Sequence, residues 1–284
     1  MTALTPPAFG TPAFGPPAFG KRAAAAVRPV LVYALVGVIG AAAFLYPFFL
    51  PATAFPSQAH SGDAPLVAAL VGVLVVVALS LEVQRGTMNG ATVAILGMLA
   101  ACAGLLRLVD LPGGGSGIFF VIVLAGAAFG PRFGLLLGLC AMAVSAVLTG
   151  GIGPWLPFQM LALAWMGAGA GFLGYATARL RPWWEVIVLA AYGWVWGFLY
   201  GAIMNLWFWP FARGGTLDWR PGMDFTATLE RYWAFYVATS LPWDAAAALT
   251  NAAIILVVGV ALMRTLRRVA HRLDPAVMFE PVPT

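Results

Sequence analysis

The stretch that decides the fold runs from Gly130 to Gly174 and reads GPRFGLLLGLCAMAVSAVLTGGIGPWLPFQMLALAWMGAGAGFLG. It holds two apolar segments of 17 or more residues on either side of the uncharged segment GGIGPWLP at 150–157. Seventeen helical residues cover roughly 25 Å, close to the minimum for crossing a bilayer core. The stretch therefore predicts a membrane hairpin. Its turn carries Trp155 and Gln159, interpreted either as a binding rim or as a structural turn with an interfacial tryptophan.

Glycines recur at four-residue spacing on both arms of this hairpin. Gly134 and Gly138 lie on the first arm, and Gly167 and Gly171 lie on the second. Residues four apart share one face of a helix, and small residues there let two helices approach closely. The same spacing recurs on the next apolar segment, at Gly193, Gly197 and Gly201. These stripes predict tight helix packing.

Composition extends this interpretation to the whole chain of 284 residues. Hydrophobic residues make up 62% and charged residues only 9%, whereas a soluble domain carries roughly 25% charged residues. The sequence therefore predicts an all-α polytopic membrane protein. The net charge of +5 comes from basic residues at the ends of apolar runs. This charge indicates topology and no nucleic-acid partner.

Eight apolar segments are interpreted as transmembrane helices, and they divide the chain into four parts. The segment at 118–130 is short and is followed by Gly130-Pro131, which is typical of a tilted or broken helix. The eight segments are about 29–50, 64–83, 91–109, 118–130, 133–149, 156–178, 184–206 and 241–264. The predicted parts are a disordered tail with a Pro-Ala-Phe-Gly repeat (1–27), two additional N-terminal helices (28–89), a six-helix core (90–272) and a C-terminal tail (273–284).

The distribution of basic residues predicts the orientation of these helices. With the N-terminus inside, eleven Lys and Arg residues fall on the inside and four on the outside, which is a clear positive-inside bias. Both termini are therefore expected in the cytoplasm and the aromatic-rich loop at 207–240 outside. That loop is interpreted either as a lid over a ligand or as an aromatic belt with a short interfacial helix at 225–237.

A search for catalytic or metal chemistry finds little. The glycines at 113–115 have no Lys-Ser/Thr after them, so they form no ATP-binding loop. His60 and His271 are predicted at opposite membrane faces, and Cys102 and Cys140 lie inside apolar segments where they are expected to pack. The sequence therefore predicts no catalytic residue, no metal site and no cofactor.

The last six apolar segments resemble the substrate-binding S component of energy-coupling factor (ECF) transporters. The resemblance covers about residues 90–268 and rests on the order of four features. These are the small-residue helix 90–109 ending near Arg107, the loop LPGGG at 111–115, the motif FGPRFG at 129–134 before the apolar hairpin, and the turn GPWLPFQ at 153–159.

The resemblance implies a function and partners. It implies that the protein binds a vitamin-like molecule from outside and works with a membrane scaffold subunit and two ATPases. The turn and the aromatic outer loop are similar to cobalamin-type S components, while riboflavin, queuosine precursors and other heterocycles stay open. A small-residue groove on the first core helix is the implied docking face for the scaffold, formed by Gly90, Ala94, Gly97 and Ala101.

The ligand site is expected where polar and aromatic residues are densest, in the outer half of the core. Aromatic rings can stack on a flat ligand while amides read its edges. Two other classes are weighed against this one: an integral membrane enzyme, and a structural membrane protein without a ligand. The candidate substrate-binding residues are Trp155, Gln159, Asn205, Trp207, Trp219, Tyr232, Trp233, Trp243, Asp244 and Asn251.

Overall fold

A computed structural model describes residues 19–50, 60, 62–84, 88–109, 111, 116–212 and 215–273, with backbone alone for 19–30. Within these residues all regular structure is helical. The helices are α1 (Phe19–Leu45), α2 (Ala64–Gln84), α3 (Gly90–Leu106), α4 (Ile118–Phe129), α5 (Pro131–Thr149), α6 (Leu156–Thr177), α7 (Pro182–Phe208), α8 (Phe225–Thr239) and α9 (Leu241–Leu273), with short 3-10 turns at Tyr46–Phe49 and Trp209–Phe211.

Six of the described helices are long and apolar enough to cross a membrane: Leu31–Phe49, Ala64–Gln84, Pro131–Thr149, Leu156–Thr177, Pro182–Phe211 and Leu241–Leu273. The predicted class, an all-α polytopic membrane protein, is thereby confirmed. Helices α3 and α4, with 17 and 12 residues, cover only about 25 and 18 Å at 1.5 Å per residue. The count of eight crossing helices therefore stays a prediction.

The first helix begins earlier in the structure than the sequence predicts. Helix α1 begins at Phe19, ten residues before the apolar segment predicted at 29–50. Residues 1–18, which hold all but the last two residues of the repeat, and the C-terminal residues 274–284 lie outside the described residues. Helix α8 at Phe225–Thr239 matches the short helix expected in the aromatic loop.

The short helix α4 lies at the centre of the bundle. Most of its side chains are buried, including the continuous run from Ile122 to Ala127. It ends at Phe129, and α5 begins at Pro131, so Gly130 alone joins them, with a φ of 95°. Glycine adopts this left-handed conformation without the Cβ clash that other residues meet. A 12-residue helix is tolerated because protein, not lipid, surrounds its backbone.

Neighbouring helix backbones approach each other closely at the predicted glycine stripes. A methyl group added to Gly134 of α5 would overlap the carbonyl of Gly167 in α6, and one added to Gly167 would overlap the carbonyl of Gly134. On α7, Gly197 packs directly against Ala248 of α9. These backbones approach closely because no side chain stands between them.

The helices alternate in direction, so the bundle has two distinct ends. We call the end where α6 and α9 begin the aromatic end, because it carries Trp155 and Trp207. The opposite end, where α5 and α7 begin, is the arginine end, because Arg132 and Arg267 form ion pairs there. The two ends differ in how their buried polar groups are satisfied.

The N-terminal pair α1–α2, which we call the N-terminal hairpin, packs on α5 and α6. Phe44 contacts Phe158 edge to face at 5.1 Å between ring centroids, and Gly40 lies against Trp165. At the arginine end, the Tyr33 hydroxyl donates a 2.9 Å hydrogen bond to Glu82. The hairpin is therefore attached to the core along its length.

Candidate ligand site

Four buried side-chain polar atoms on the core helices have no hydrogen-bond partner among the described residues. They are Gln159 Oε1, Trp207 Nε1, Asp244 Oδ2 and Asn251 Oδ1. All four belong to residues that the sequence predicts as ligand contacts, and they come from α6, α7 and α9. Leaving such an atom buried and unpaired costs about 1–3 kcal/mol. Their concentration towards one end marks a candidate ligand site.

Polar groups from distant parts of the chain come together around Tyr200 of α7. Its hydroxyl lies beside the amide of Gln159 and within electrostatic reach of Arg107 and Asp244. Its ring contacts Phe119 of α4 edge to face at 5.0 Å. Because these residues come from α4, α6, α7, α9 and the C-terminal end of α3, the cluster lies inside the bundle.

Arg107 follows the last residue of α3 and points towards α5. Its Nη1 lies 2.9 Å from Met142 Sδ and 3.4 Å from Ser145 Oγ. Among the described residues no carboxylate forms an ion pair with Arg107. A guanidinium with only weak or neutral acceptors can bind an anionic or carbonyl group of a ligand.

The Asp244 carboxylate lies where α7, α8 and α9 meet. A side chain on Gly201 of α7 would overlap it, so this glycine provides the space for the carboxylate. Tyr236 of α8 reaches the same group, and Tyr232 lies close enough to sense its charge. Burial and the negative charge of Asp244 both raise the pKa of these two phenols.

Asn251 lies seven residues further along α9 and is completely buried. Its Nδ2 donates to the Ala247 carbonyl at 2.9 Å, while Oδ1 has no partner. Asp244 and Asn251 lie on the same face of α9, as their spacing predicts. Asn251 therefore lies about two helical turns further from the start of α9 than Asp244.

Two tryptophans flank this cluster at the aromatic end. Trp155 is 39% exposed and contacts Trp207 edge to face, with 6.4 Å between centroids. The indole N–H of Trp155 donates to the Gly151 carbonyl at 3.3 Å, whereas that of Trp207 has no acceptor. The structure therefore brings Trp155 and Trp207 together at the aromatic end, and Gln159 follows one turn after Trp155 near the start of α6.

Three other predicted residues hold the chain that follows α7. The Asn205 amide donates to Ser240 Oγ at 2.7 Å, and the Tyr232 hydroxyl donates to the Ala202 carbonyl. Trp219 is buried in a small cluster with Trp209 and Phe235. These side chains position the aromatic loop and helix α8.

Trp233 and Trp243 lie apart from the cluster. They are 61% and 66% exposed, and Trp233 stacks on Tyr236 at 5.7 Å. Trp243 lies in the first turn of α9, and an outward-facing tryptophan at the end of a membrane helix is typical of an interfacial belt. The aromatic loop therefore contains residues of both kinds, buried rings and surface rings.

The sequence pattern did not indicate four residues of this end as ligand contacts: Arg107, Tyr200, Tyr236 and His60. Arg107 entered only as part of a family feature, although an arginine beside an apolar segment is itself a signal of function. Tyr200 lies one residue before Gly201 of the glycine stripe, so helix periodicity alone gave no reason to select it. Each of these residues is placed by contacts between distant parts of the chain.

His60 lies at the aromatic end, in the connection between α1 and α2. Its ring is fully buried, and burial lowers the pKa of the imidazole, while the nearby Asp63 carboxylate opposes this shift. His271 lies at the arginine end, so the predicted separation of the two histidines is confirmed. Among the described residues no three His, Cys, Asp or Glu side chains lie together as a metal site.

A cavity of about 940 Å³ lies at the arginine end, between the N-terminal hairpin and the core. Glu82 and Arg132 line it, together with Tyr33 and Tyr175. Its buried carboxylate, Glu82, already accepts hydrogen bonds from Tyr33 and Arg132. None of the described residues that line this cavity has a buried side-chain polar atom without a hydrogen-bond partner.

The small-residue stripe on α3 faces away from the bundle. Gly90, Ala94 and Gly97 are exposed and Ala101 is half-buried, and methyl groups on Gly90 or Gly97 would meet no atom within 4 Å. The buried residues of α3 are Leu96, Ala100, Ala103 and Gly104, and Gly104 packs against Ser145 of α5. The stripe is thus an uncovered surface of the chain.

The bundle and the polar cluster are those of a helical membrane protein with a candidate small-molecule site at one end. A family model described as ECF transporter, substrate-specific component, matches residues 91–259, more than half of the chain. The protein belongs to this family of substrate-specific components of ECF transporters. Membership implies association with ECF membrane and ATPase subunits and a small-molecule substrate, and the family is not one of enzymes. Comparison with curated proteins and with solved structures gave no match.

Proposed function

We propose that this protein is the substrate-capture subunit of an ECF-type importer and binds its substrate at the aromatic end. The observation that carries this proposal is the group of four buried, unpaired polar atoms on Gln159, Trp207, Asp244 and Asn251. A ligand that supplies their partners offsets the penalty of burying them. The tryptophan pair and Arg107 add an aromatic surface and a cation to the same end.

The proposed substrate is a vitamin or related micronutrient with a flat ring system and both donor and acceptor groups. The ring would contact Trp155 and Trp207, donors would meet Asp244 and Asn251, and acceptors would meet Arg107. Cobalamin is the first candidate, because a corrin is large and flat and suits aromatic walls. Riboflavin, queuosine precursors and other heterocycles are the compounds to compare with it.

The first test identifies the substrate. The detergent-solubilised full chain is purified and its co-purifying small molecules are determined by mass spectrometry. We expect a heterocyclic compound in stoichiometric amount. Binding of that compound is then titrated by tryptophan fluorescence in wild type, Trp155→Ala, Gln159→Ala and Asn251→Ala. Removing one stacking ring should cost about 1–3 kcal/mol, or roughly 5- to 150-fold in affinity, by analogy with base stacking.

Gln84→Ala provides a matched control for the amide variant. Gln84 is exposed at the end of α2, at the arginine end of the bundle, so its removal should leave affinity unchanged. If the three site variants bind like Gln84→Ala, the ligand occupies another part of the protein. The cavity at the arginine end would then be the next region to mutate.

Energy coupling is proposed to come from a membrane scaffold subunit and two ATPases, with the α3 stripe as the docking surface. The exposed Gly90, Ala94 and Gly97 leave room for another helix to approach α3 closely. Ala94→Leu or Gly97→Leu should block assembly and transport while binding by the isolated protein is retained. Ala69→Leu is the control, because Ala69 is exposed on α2 outside the stripe. Lost binding with intact assembly would assign the stripe to the fold of the chain itself.

The proposed orientation places both termini in the cytoplasm and the aromatic end outside. Cysteines are introduced singly at Ala13 and at Thr226, which is exposed on α8, after replacement of Cys102 and Cys140 by serine. An impermeant thiol reagent added to intact cells should label position 226 and not position 13. The opposite pattern would invert the orientation and place the candidate site inside the cell.

A further inference from the structure

Helix α8 exposes a row of large apolar side chains on one of its sides. The row, which we call the α8 stripe, consists of Phe225, Leu229, Trp233 and Val237, all of them exposed. Its members recur at every fourth position of the helix, so they lie along one side of it. Large apolar side chains that are exposed together indicate a surface that meets another molecule or a membrane.

The neighbouring side of α8 packs on the core. Phe235 and Tyr236 are buried, and Phe235 lies 6.2 Å from Trp209 between ring centroids. The Tyr232 hydroxyl donates to the carbonyl of Ala202, which lies in the last two turns of α7. Helix α8 is therefore fixed beside the end of a helix that is long and apolar enough to cross a membrane.

A third side of α8 carries its charged residues. Glu230 is exposed and follows Leu229 directly, so it lies about 100° around the helix from it. The Arg231 guanidinium donates to the carbonyls of Thr216 and Asp218 at 3.3 Å. A helix with an apolar side and a charged side is typical of the membrane interface, where the first meets lipid and the second meets water.

The connections of α8 place it close to the membrane. Ser240 alone separates its end at Thr239 from the start of α9 at Leu241, and α9 is long and apolar enough to cross a membrane. With 15 residues, α8 covers about 22 Å, less than the hydrocarbon core of about 30 Å. Helix α8 therefore lies next to a crossing helix but is too short to cross the bilayer itself.

We propose that α8 is an interfacial anchor, in which the α8 stripe binds the lipid surface among the headgroups and the first methylene groups of one leaflet. Lipid is the favoured occupant because the helices beside α8 are also apolar on the outside at this end, where Phe208, Trp243 and Leu249 are exposed. Tryptophan and phenylalanine are typical residues of such an anchor. The inference uses the membrane class of the chain and does not depend on the proposed substrate.

The anchor is connected to the candidate ligand site through the packed side of α8. Tyr236 on that side reaches the Asp244 carboxylate, and Tyr232 lies close enough to sense its charge. Helix α8 thus contacts residues of the candidate site on one side and lipid on another. The lipid surface is a second support for this helix, besides its contact with Trp209.

The test measures which medium surrounds each side of α8. Single cysteines are introduced at Phe225, Leu229 and Glu230 of the full chain, after replacement of Cys102 and Cys140 by serine, and each is labelled with the fluorophore NBD. The protein is reconstituted in phosphatidylcholine nanodiscs. Quenching by phosphatidylcholine with brominated acyl chains is compared with quenching by iodide in the buffer.

Two reference positions calibrate the measurement. Glu230→Cys is the matched control for Leu229→Cys, because the two positions are adjacent in the chain and both are exposed. Val257→Cys, in the middle of α9, is the reference for lipid contact in the hydrocarbon core, because Val257 and Phe225 are equally exposed at 82%. We expect bromines near the headgroup to quench the probes at 225 and 229, with this quenching lost at 230. Iodide should show the reverse order.

Three results would overturn the anchor. Iodide quenching at 225 and 229 equal to that at 230 would place the α8 stripe in water. Absence of both kinds of quenching there would mean that protein, such as a second copy of the chain, covers the stripe. Quenching at 229 only by bromines deep in the acyl chains, as expected at 257, would place α8 inside the hydrocarbon core. Failure of the transport proposal would leave these quenching patterns unchanged, so the two ideas fail separately.

Discussion

Both ends of the bundle bury polar side chains, but those at the arginine end have hydrogen-bond partners, whereas several at the aromatic end have none among the described residues. At the arginine end every buried carboxylate of the described core has donors. Glu82 accepts from the Tyr33 hydroxyl at 2.9 Å and from Arg132 at 3.5 Å. Glu185 accepts from Thr177 at 3.3 Å and pairs with Arg267. These groups tie α1, α2, α5, α6, α7 and α9 together, so they contribute to the fold.

At the aromatic end the buried polar groups are left incomplete. Within the part of the chain that the structure describes, Asp244, Asn251 and Gln159 each keep one oxygen without a partner, and the Trp207 N–H has no acceptor. Each such atom lowers the stability of the ligand-free protein. The difference teaches that satisfied polar groups hold this fold together, whereas unsatisfied ones mark where a ligand completes it.

The largest expected effect comes from breaking the ion pair of Glu185. Arg267→Met removes the partner of a buried carboxylate, and this should lower the free energy of unfolding by about 3 kcal/mol. The neighbouring Arg268→Met is the control, because Arg268 is exposed and the change should stay within about 0.5 kcal/mol. Both are measured by titrating the detergent-solubilised protein with dodecyl sulfate. Equal losses in the two variants would show that the pair contributes nothing specific.

A smaller effect is expected where the N-terminal hairpin meets the core. Tyr33→Phe removes one hydrogen bond to the charged Glu82 and should lower the free energy of unfolding by about 1.5 kcal/mol. Tyr175→Phe is its control, because Tyr175 is 66% exposed and lines the same cavity. The same dodecyl sulfate titration compares them. A loss confined to Tyr175→Phe would contradict the assignment of Tyr33 as a structural donor.

The smallest effect has the opposite sign and tests the comparison most directly. Asn251→Leu removes an unpaired buried oxygen, so the ligand-free protein should become more stable by about 1 kcal/mol. Asn205→Leu removes an amide that is hydrogen-bonded to Ser240, and it should be destabilising by a similar amount. A destabilised Asn251→Leu variant would place Asn251 with the structural groups of the arginine end.

Helix positions and helix contacts were largely predictable from the sequence. Apolar length and glycine spacing suffice to predict the α5–α6 hairpin, because a stripe of small residues has one use between membrane helices. The pairing of Gly134 with Gly167 and the packing of Gly197 on Ala248 follow that pattern. Composition also indicated the membrane class, since 9% charged residues cannot cover a soluble surface.

The sequence was less informative about which tryptophans and histidines are buried. Trp219 and Trp233 are both near α8, yet one is 3% and the other 61% exposed. Their local composition is similar, and only the approach of Phe48 and Trp209 decides which ring is covered. His60 follows the same logic, because its partners lie about 100 and 150 residues away along the chain.

The sequence by itself determined that this chain is a helical membrane protein of the ECF substrate-specific class, since hydropathy, periodicity and motif order are local properties. Only the tertiary structure decided which buried polar atoms find partners. Glu185 meets Arg267 from 82 positions away, whereas Asp244 and Asn251 each keep an oxygen that no described residue pairs with. Hydrogen-bond satisfaction depends on atoms brought together by packing, and no local pattern contains that information.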